Sequence, residues 1–343
     1  MKAKPSLPRQ AAILFASAIA IILVTTLLWP ESRPLALPEL EVINLPVSSQ
    51  PISPIPEVAP NLNIKKAALG NLLFHETSLS KDNTVACAGC HQLSRGGVDG
   101  VQFSVGVKGQ VSAINTPTVF NSMFNFRQFW DGRAKNLHEQ MAGPIHSSVD
   151  PGSSWTEVIA KLKQDSAYVT AFSQNYTNGI TSENISDALA VFLQTLITPN
   201  SRFDQYLKGD SNALTQYELS GYALFTSYGC IACHQGVNVG GNMYEKLGIM
   251  GDYFKDRGNL TLADQGRYAL TKNPEDMHVF KVPSLRNVAL TAPYLHDGTA
   301  QTLHEAVSIM GKYQLGMLLP HDDVSRLVAF LHTLTGEYKG KPL

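Results

Sequence analysis

Hydrophobic residues recur along most of the chain with the spacing of an α-helix. Apolar positions three and four residues apart predict helices over 64–73, 155–162, 183–196 and 324–334. Thr181 and Thr215 each begin a four-residue pattern typical of a helix N-terminus. No convincing run of alternating apolar and polar residues indicates a strand. The sequence therefore predicts a mostly α fold with long functional loops.

The longest apolar run lies near the N-terminus. Residues 11–29 form 19 positions without a charge, with basic residues before them and Glu31 after them. This length is about one crossing of a bilayer. A cleaved signal peptide would have a shorter apolar region followed by small residues, whereas here the small residues lie inside the run. We predict an uncleaved transmembrane anchor over 1–29, with the rest of the chain exported; a cleaved signal peptide is the alternative.

Proline dominates the segment that follows this run. Eight prolines lie from Pro30 to Pro60, and the segment lacks helical periodicity. Such a composition is typical of an extended, semi-rigid tether. We place the linker at 30–54, where it would hold a folded body at 55–336 away from the membrane, and we expect a tail at 337–343.

The composition of the chain fits a folded protein of about two domains. Its 343 residues are 44% hydrophobic and 16% charged, which excludes disorder as the dominant state. The 27 basic residues nearly balance the 28 acidic ones, so the net charge is -1. A chain without a basic excess has no electrostatic footprint for nucleic acid, and we expect no such partner.

All four cysteines belong to two C-x-x-C-H motifs, Cys87–His91 and Cys230–His234. This motif is the attachment pattern of c-type haem, in which two thiols add to the haem vinyl groups and the next His binds the iron. A thioredoxin-like pair would need only one C-x-x-C, and a zinc site of four cysteines would leave both histidines unexplained. The motifs predict two covalently bound haems, with His91 and His234 as proximal ligands of haem c.

Further motifs accompany these two haem sites. They are Gly96-Gly-Val-Asp-Gly100, Asn115-Thr-Pro-Thr-Val-Phe-Asn121, Phe129-Trp-Asp-Gly-Arg-Ala134, Phe280-Lys-Val-Pro-Ser-Leu-Arg-Asn287 and Pro293-Tyr-Leu-His-Asp-Gly298. With them, residues 55–336 resemble the bacterial diheme cytochrome c peroxidases and the related tryptophan-tryptophylquinone maturation enzymes. The resemblance implies an N-terminal peroxidatic cytochrome c domain at 55–200 and a C-terminal electron-transfer domain at 201–336.

The resemblance also implies roles for single residues near the irons. Met310 matches the second ligand of the His234 haem, with Met317 and Met277 as weaker rivals, and Trp130 matches the tryptophan that carries electrons between the haems. Gln140 matches a residue near the peroxide. Asp150 aligns with the family's catalytic Glu, one methylene shorter; its alternative role is a turn residue before Pro151 and Gly152.

A calcium site between the two domains is a further implication of the resemblance. Asn115 matches a side-chain ligand of this site, and Thr291 and Pro293 match its backbone carbonyl ligands. Amide and carbonyl oxygens suit a hard cation such as Ca²⁺, with waters completing the coordination.

One position departs from the family pattern. Many members close the oxidised N-terminal haem with a second His, and the matching residue here is Val107, which cannot bind iron. Residues 98–114 contain no His, Met, Cys or Tyr, which leaves Lys108 as a poor local candidate. The sequence therefore predicts that the His91 haem is open at rest and needs no reductive activation.

The resemblance implies a diheme peroxidase that reduces hydrogen peroxide to water on the periplasmic side of a bacterial inner membrane. Electrons would come from a small cytochrome c or a blue-copper protein, or from a quinol because of the anchor. One alternative is an enzyme of the quinone-maturation type, which oxidises residues of a partner protein; Met310 opposes it, because that branch has Tyr there. The other alternative is a diheme electron carrier or sensor, which Val107 opposes. The sequence leaves open whether the chain forms a homodimer.

Overall fold

The computed structural model describes residues 51–59, 62–146 and 151–343, with the backbone alone at Ala142, Pro144 and His146. The predicted anchor and residues 30–50 of the predicted linker lie outside the described residues, as does Asp150. Within the described ranges, no helix combines the length and the hydrophobicity needed to cross a membrane.

The described chain is mostly helical, as predicted. Its helices are α1 (Ile64–Phe74), α2 (Cys87–Cys90), α3 (Leu137–His146), α4 (Trp155–Gln164), α5 (Ser166–Asn175), α6 (Ser182–Gln194), α7 (Arg202–Leu207), α8 (Gln216–Ser227), α9 (Tyr253–Arg257), α10 (Tyr268–Thr271), α11 (Leu303–Gln314) and α12 (His321–His332). The four helices predicted from periodicity correspond to α1, α4, α6 and α12, each displaced by at most three residues at either end.

The two predicted helix starts have the expected hydrogen bonds. The Thr181 side chain accepts from the Asn184 backbone N–H and starts α6. Thr215 and Glu218 form a reciprocal capping box at the start of α8, in which each side chain bonds the other residue's backbone N–H. Local side chains therefore fix where these two helices begin.

Two short antiparallel ladders are the strands of the described chain. Strand β1 (Tyr244–Lys246) pairs with β2 (Val279–Lys281), with Tyr244 opposite Lys281. Strand β3 (Glu337–Tyr338) pairs with β4 (Lys341–Pro342). Strands of two or three residues are too short to produce an alternating pattern, which is why periodicity did not predict them.

Glycines bring two pairs of helices into close contact. Helix α1 packs against α6, and α8 packs against α12. A Cβ atom on Gly70 would overlap the Ala188 carbonyl oxygen, and one on Gly221 would overlap the Arg326 carbonyl oxygen. In α1 and in α8 a buried phenylalanine follows the glycine by four residues. Each helix that precedes a C-x-x-C-H motif thus packs in the same way.

The buried hydrophobic side chains form two main clusters that follow the order of the chain. The first cluster comes from residues 69–196 and surrounds the contact of α1 with α6. The second comes from Ile52 and residues 203–334 and surrounds the contact of α8 with α12. The predicted domain boundary at residues 200 and 201 falls between the two clusters and stays a prediction.

A buried ion pair holds the segment 280–287 in place. The Arg286 guanidinium lies 2.8 Å from the Asp204 carboxylate, and both side chains are at most 1% exposed. Arg286 also donates to the backbone carbonyl oxygens of Val237 and Ser53, both at 2.9 Å. The segment that carries Arg286 is thereby fixed to α7 and to the start of the described chain.

We predict that Gly70→Ala lowers the free energy of unfolding by about 1–3 kcal/mol, because the added methyl group must push α1 away from α6. The sign is diagnostic, since glycine to alanine inside a helix otherwise stabilises it by about 1 kcal/mol. Denaturant titration of the haem-loaded protein measures this change. Asn71→Ala, at the exposed neighbouring position of α1, is the matched control and should not destabilise; equal effects at both positions would contradict the packing described here.

Candidate functional site

A large apolar cavity lies beside the second C-x-x-C-H motif. Its volume is about 460 Å³, within the usual range of cofactor sites. Cys230, Cys233 and His234 line it together with Met310. Much of the remaining wall is hydrophobic and comes from α8, α11 and α12, including Phe225, Leu303, Val307, Leu327 and Leu331. A cavity of this size and polarity, with two thiols and an imidazole in its wall, fits a c-type haem.

Burial favours the neutral form of the His234 imidazole. Its Nδ1 lies 3.4 Å from the Val239 carbonyl oxygen, and burial lowers the pKa of His234 to about 4. An imidazole whose Nδ1 is held by a carbonyl has Nε2 left for a metal. A Cβ atom on Gly240 would overlap the Pro283 carbonyl oxygen, so glycine allows the chain to pass close to the imidazole. Burial also raises the pKa of the Cys230 thiol to about 11.

Of the three candidate methionines, Met310 lines the His234 cavity, and the other two do not. Met310 lies on α11 one turn after the cavity-lining Val307, whereas Met317 follows that helix and is 43% exposed. The structure thus brings Met310 and His234 to one cavity. Ligation of iron by Met310 stays a prediction.

A second, smaller cavity lies beside the first C-x-x-C-H motif. His91, Gln140 and Trp130 line it, together with Ser122 and Lys281. His91 has the same arrangement as His234, with its Nδ1 3.4 Å from the Gly97 carbonyl oxygen. Within the described residues, the buried side-chain atoms that lack a hydrogen-bond partner are Gln140 Oε1 and Ser122 Oγ. Both belong to this cavity, so its wall has unused polar atoms suited to a polar ligand.

The His91 cavity does not have the size of a haem. Its volume is about 40 Å³, which holds one or two water-sized molecules. Cys87 and Cys90 form α2 just before His91, but neither lines this cavity. Among the described residues, which exclude 147–150, the structure therefore shows the imidazole and the polar side chains of the predicted site around a cavity smaller than a haem.

Trp130 lines both cavities. Its indole N–H donates to the Asn115 carbonyl oxygen at 2.9 Å, and its own carbonyl oxygen accepts from the Lys281 N–H at 2.8 Å. The indole also lies edge-on to the Phe280 and His296 rings, at 6.5 and 6.3 Å between centroids. These contacts fix the indole in the walls of both cavities; its role in electron transfer stays a prediction.

The three predicted calcium ligands line the larger cavity together. The Asn115 amide nitrogen donates to the Val101 and Gln102 carbonyl oxygens, at 3.2 and 3.1 Å. This use of the nitrogen leaves the amide oxygen as the atom for a cation. The structure therefore brings Asn115, Thr291 and Pro293 into one region, and calcium binding itself stays a prediction.

Val107 lies away from both cavities. Its side chain is 5% exposed and belongs to the lining of neither cavity. The loop that carries Val107 and Lys108 is closed by an antiparallel bridge between Val105 and Val111. An open iron at His91 stays a prediction.

An internal repeat links the two sites. The sequences Gln128–Ala134 and Tyr294–Ala300 adopt the same turn, closed by an antiparallel bridge between their first and last residues. Phe129 and Leu295 have positive φ angles of 67° and 70° in these turns. The offset of 166 residues continues through the Leu-His-Glu sequences that start α3 and α11. Sequence inspection could have found this repeat, because Asp-Gly-x-Ala-x-x-Leu-His-Glu occurs in both copies.

The repeat pairs residues that differ in chemistry. Trp130 corresponds to His296, and the two rings are neighbours. Met310 corresponds to Pro144, and proline has no atom that can bind iron. At the position where the second half of the chain has a candidate ligand, the first half therefore has none.

His296 was not predicted as a site residue, and it lies in a buried charged cluster. Its Nε2 lies 2.7 Å from Asp264 Oδ1, and burial lowers the pKa of His296. Arg257 bonds both Asp264 oxygens and also Asp297. Burial alone would raise the pKa of Asp264, but the hydrogen bonds from Arg257, the Thr261 N–H and His296, with the Arg257 charge, together hold this pKa well below its usual range. Of the three potential ligands of this cluster, the two carboxylates thus already share a cation, the guanidinium.

We predict that Asp264→Asn lowers the free energy of unfolding by about 3 kcal/mol, because it removes the buried carboxylate that pairs with His296 and leaves Arg257 only its contact with Asp297. Denaturant titration measures this change. The control is Asp322→Asn, which removes an exposed ion pair with Arg326 and should change the free energy by less than about 1 kcal/mol. If Asp264→Asn lowers the free energy of unfolding as little as Asp322→Asn does, the buried cluster contributes no more stability than an exposed ion pair.

Comparisons with known proteins identify the family of this chain. A family model described as di-haem cytochrome c peroxidase matches residues 64–212. The chain is 50% identical over 291 residues to the cytochrome c peroxidase Ccp of Escherichia coli (strain K12), covering 84% of this chain and 62% of that relative's length. It is 45% identical over 294 residues to the cytochrome c551 peroxidase of Nitrosomonas europaea, covering 84% of this chain and 85% of the relative.

A solved structure extends the likeness to the fold. The crystal structure of a MauG-like protein associated with microbial copper homeostasis superposes with a TM-score of 0.73 at 28% identity, covering 86% of this chain and 95% of the other. The chain belongs to the di-haem cytochrome c peroxidase family.

Proposed function

We propose that this chain is a peroxidase that reduces hydrogen peroxide to water with electrons from a small cytochrome c or a blue-copper protein. The observation that carries this proposal is the difference between the two cavities. His234 shares its cavity with a second potential iron ligand, Met310, whereas the described lining of the His91 cavity contains no methionine, cysteine or second histidine. One iron would be closed for electron transfer, and the other would be open to a substrate.

Family membership implies two haem groups, and each C-x-x-C-H motif supplies the residues that would hold one of them. We propose covalent attachment through Cys87 and Cys90 at the first site and through Cys230 and Cys233 at the second. When bound, the haems supply a stored electron at one iron and a reactive iron for peroxide at the other. The proximal imidazoles are oriented by backbone carbonyls in both halves, as described above.

The polar side chains near His91 would handle the protons of peroxide. Gln140 Oε1 is a buried acceptor without a partner among the described residues, so it can orient a peroxide O–H. Asp150 is the proposed acid and base. It would take a proton from one peroxide oxygen and give it to the other, the leaving oxygen, as the O–O bond breaks. The overall reaction takes two electrons and two protons and releases two waters.

Electrons would reach the His91 site through Trp130, whose indole lines both cavities and is fixed by its hydrogen bond to Asn115. A calcium ion held by Asn115, Thr291 and Pro293 would brace the same region. We further propose that the N-terminal segment anchors the protein to the periplasmic side of the inner membrane, where a quinol is a second candidate donor.

Substitution of Met310 and substitution of Met317 are expected to have different effects on peroxidase activity. We predict that Met310→Leu lowers peroxide-dependent oxidation of a reduced small cytochrome c at least about tenfold, because a haem that loses its thioether ligand has a lower potential. Stopped-flow and steady-state assays of the haem-loaded protein measure this loss. Met317→Leu, on the exposed turn after α11, is the control and should retain wild-type turnover. Full activity in Met310→Leu would remove Met310 from the electron path, and no peroxide reduction by the wild type would overturn the proposed function.

A further inference from the structure

A lysine is buried between the two cavities. Lys281 ends strand β2, is 7% exposed, and lines both the His91 cavity and the His234 cavity. Its backbone N–H donates to the Trp130 carbonyl oxygen. Trp130 also lines both cavities, so the lysine lies at the point where the two sites meet.

Lys281 has no counter-ion within the part of the chain that the structure describes. Other cations in the interior have partners there: the buried Arg286 pairs with Asp204, and the partly buried Arg257 pairs with Asp264 and Asp297. The Lys281 ammonium has no such carboxylate, and burial alone lowers its pKa to about 8. A buried ammonium is stable only when an anion or several hydrogen-bond acceptors replace the lost water.

The chemistry of haem supplies a matching anion. Each haem carries two propionate carboxylates at one edge of the porphyrin, and Lys281 borders the haem-sized His234 cavity as well as the smaller cavity beside His91. Ser122 Oγ lies in the His91 cavity with Lys281 and is buried without a partner among the described residues. An ammonium and a hydroxyl group together are suitable donors for a carboxylate.

We propose that Lys281 binds a haem propionate and thereby raises the reduction potential of that haem. This inference rests on the two-haem function proposed above. An added electron makes the haem more negative, so a neighbouring positive charge favours the reduced form. Because Lys281 borders both cavities, the propionate can belong to either haem, and the experiment identifies which one.

The test is a redox titration of the haem-loaded full chain, followed by the optical spectrum and EPR signal of each haem. Lys281→Met removes the charge at similar length, Lys281→Arg keeps the charge, and Lys163→Met removes an exposed lysine of α4. We expect Lys281→Met to make reduction of one haem at least tenfold less favourable, which is a 59 mV lower potential for one electron. Lys281→Arg and Lys163→Met should stay closer to the wild type, and the haem whose potential falls is the one bound.

Haem content is measured in every variant, so that the two proposals can fail separately. A wild-type protein without two haems would overturn the proposed function. Two haems with unchanged potentials in Lys281→Met would overturn the role of Lys281 alone. If Lys281→Met does not assemble, Lys281→Gln replaces it. Loss of haem from both neutral variants with rescue by Lys281→Arg supports the propionate contact, and equal loss in the arginine variant contradicts it.

Discussion

The ion pair between Arg286 and Asp204 is the interaction on which the rest of the site depends. Both groups are almost fully buried, so each needs the other to offset the water that it has lost. Asp204 also accepts from the Ile55 N–H, and Arg286 donates to the Ser53 carbonyl oxygen. The pair therefore fixes the segment 280–287, from which Lys281 and Pro283 reach the walls of both cavities.

The two halves of the chain share a construction but differ in chemistry. In each half, the helix before the C-x-x-C-H motif packs closely against another helix at a glycine. In each half, too, a tight turn leads into a helix that starts with Leu-His-Glu. The turn presents Trp130 in one copy and His296 in the other, and the helix has Pro144 in one and Met310 in the other. Two copies of one backbone arrangement with different side chains can hold two haems in different environments. One haem can then store an electron, and the other can react with a substrate.

The sequence predicted the helices well because their apolar faces and caps are local. Thr215 and Glu218 are three residues apart, and α1 and α4 follow the 3.6-residue period. The motifs also indicated that Met310, and not Met317, lies beside His234. The cluster of Arg257, Asp264 and Asp297 was not predicted, because its members join distant loops and have no characteristic spacing. The burial of Lys281 was equally hidden, since lysines are mostly exposed and nothing local marks an exception. The repeat that contains Trp130 in one copy and His296 in the other is present in the sequence, but the motifs of the two haem sites do not by themselves indicate it.

The central claim is that the His91 iron is open while the His234 iron is closed. The most direct measurement adds one equivalent of hydrogen peroxide to the fully oxidised protein, without a reductant, and records EPR spectra before and after mixing. We predict that the His91 haem gives a high-spin ferric signal at rest, which disappears rapidly after peroxide is added. The His234 haem should give a low-spin signal. Two low-spin haems that do not react with peroxide would contradict it, because a ligand would then close the iron at His91.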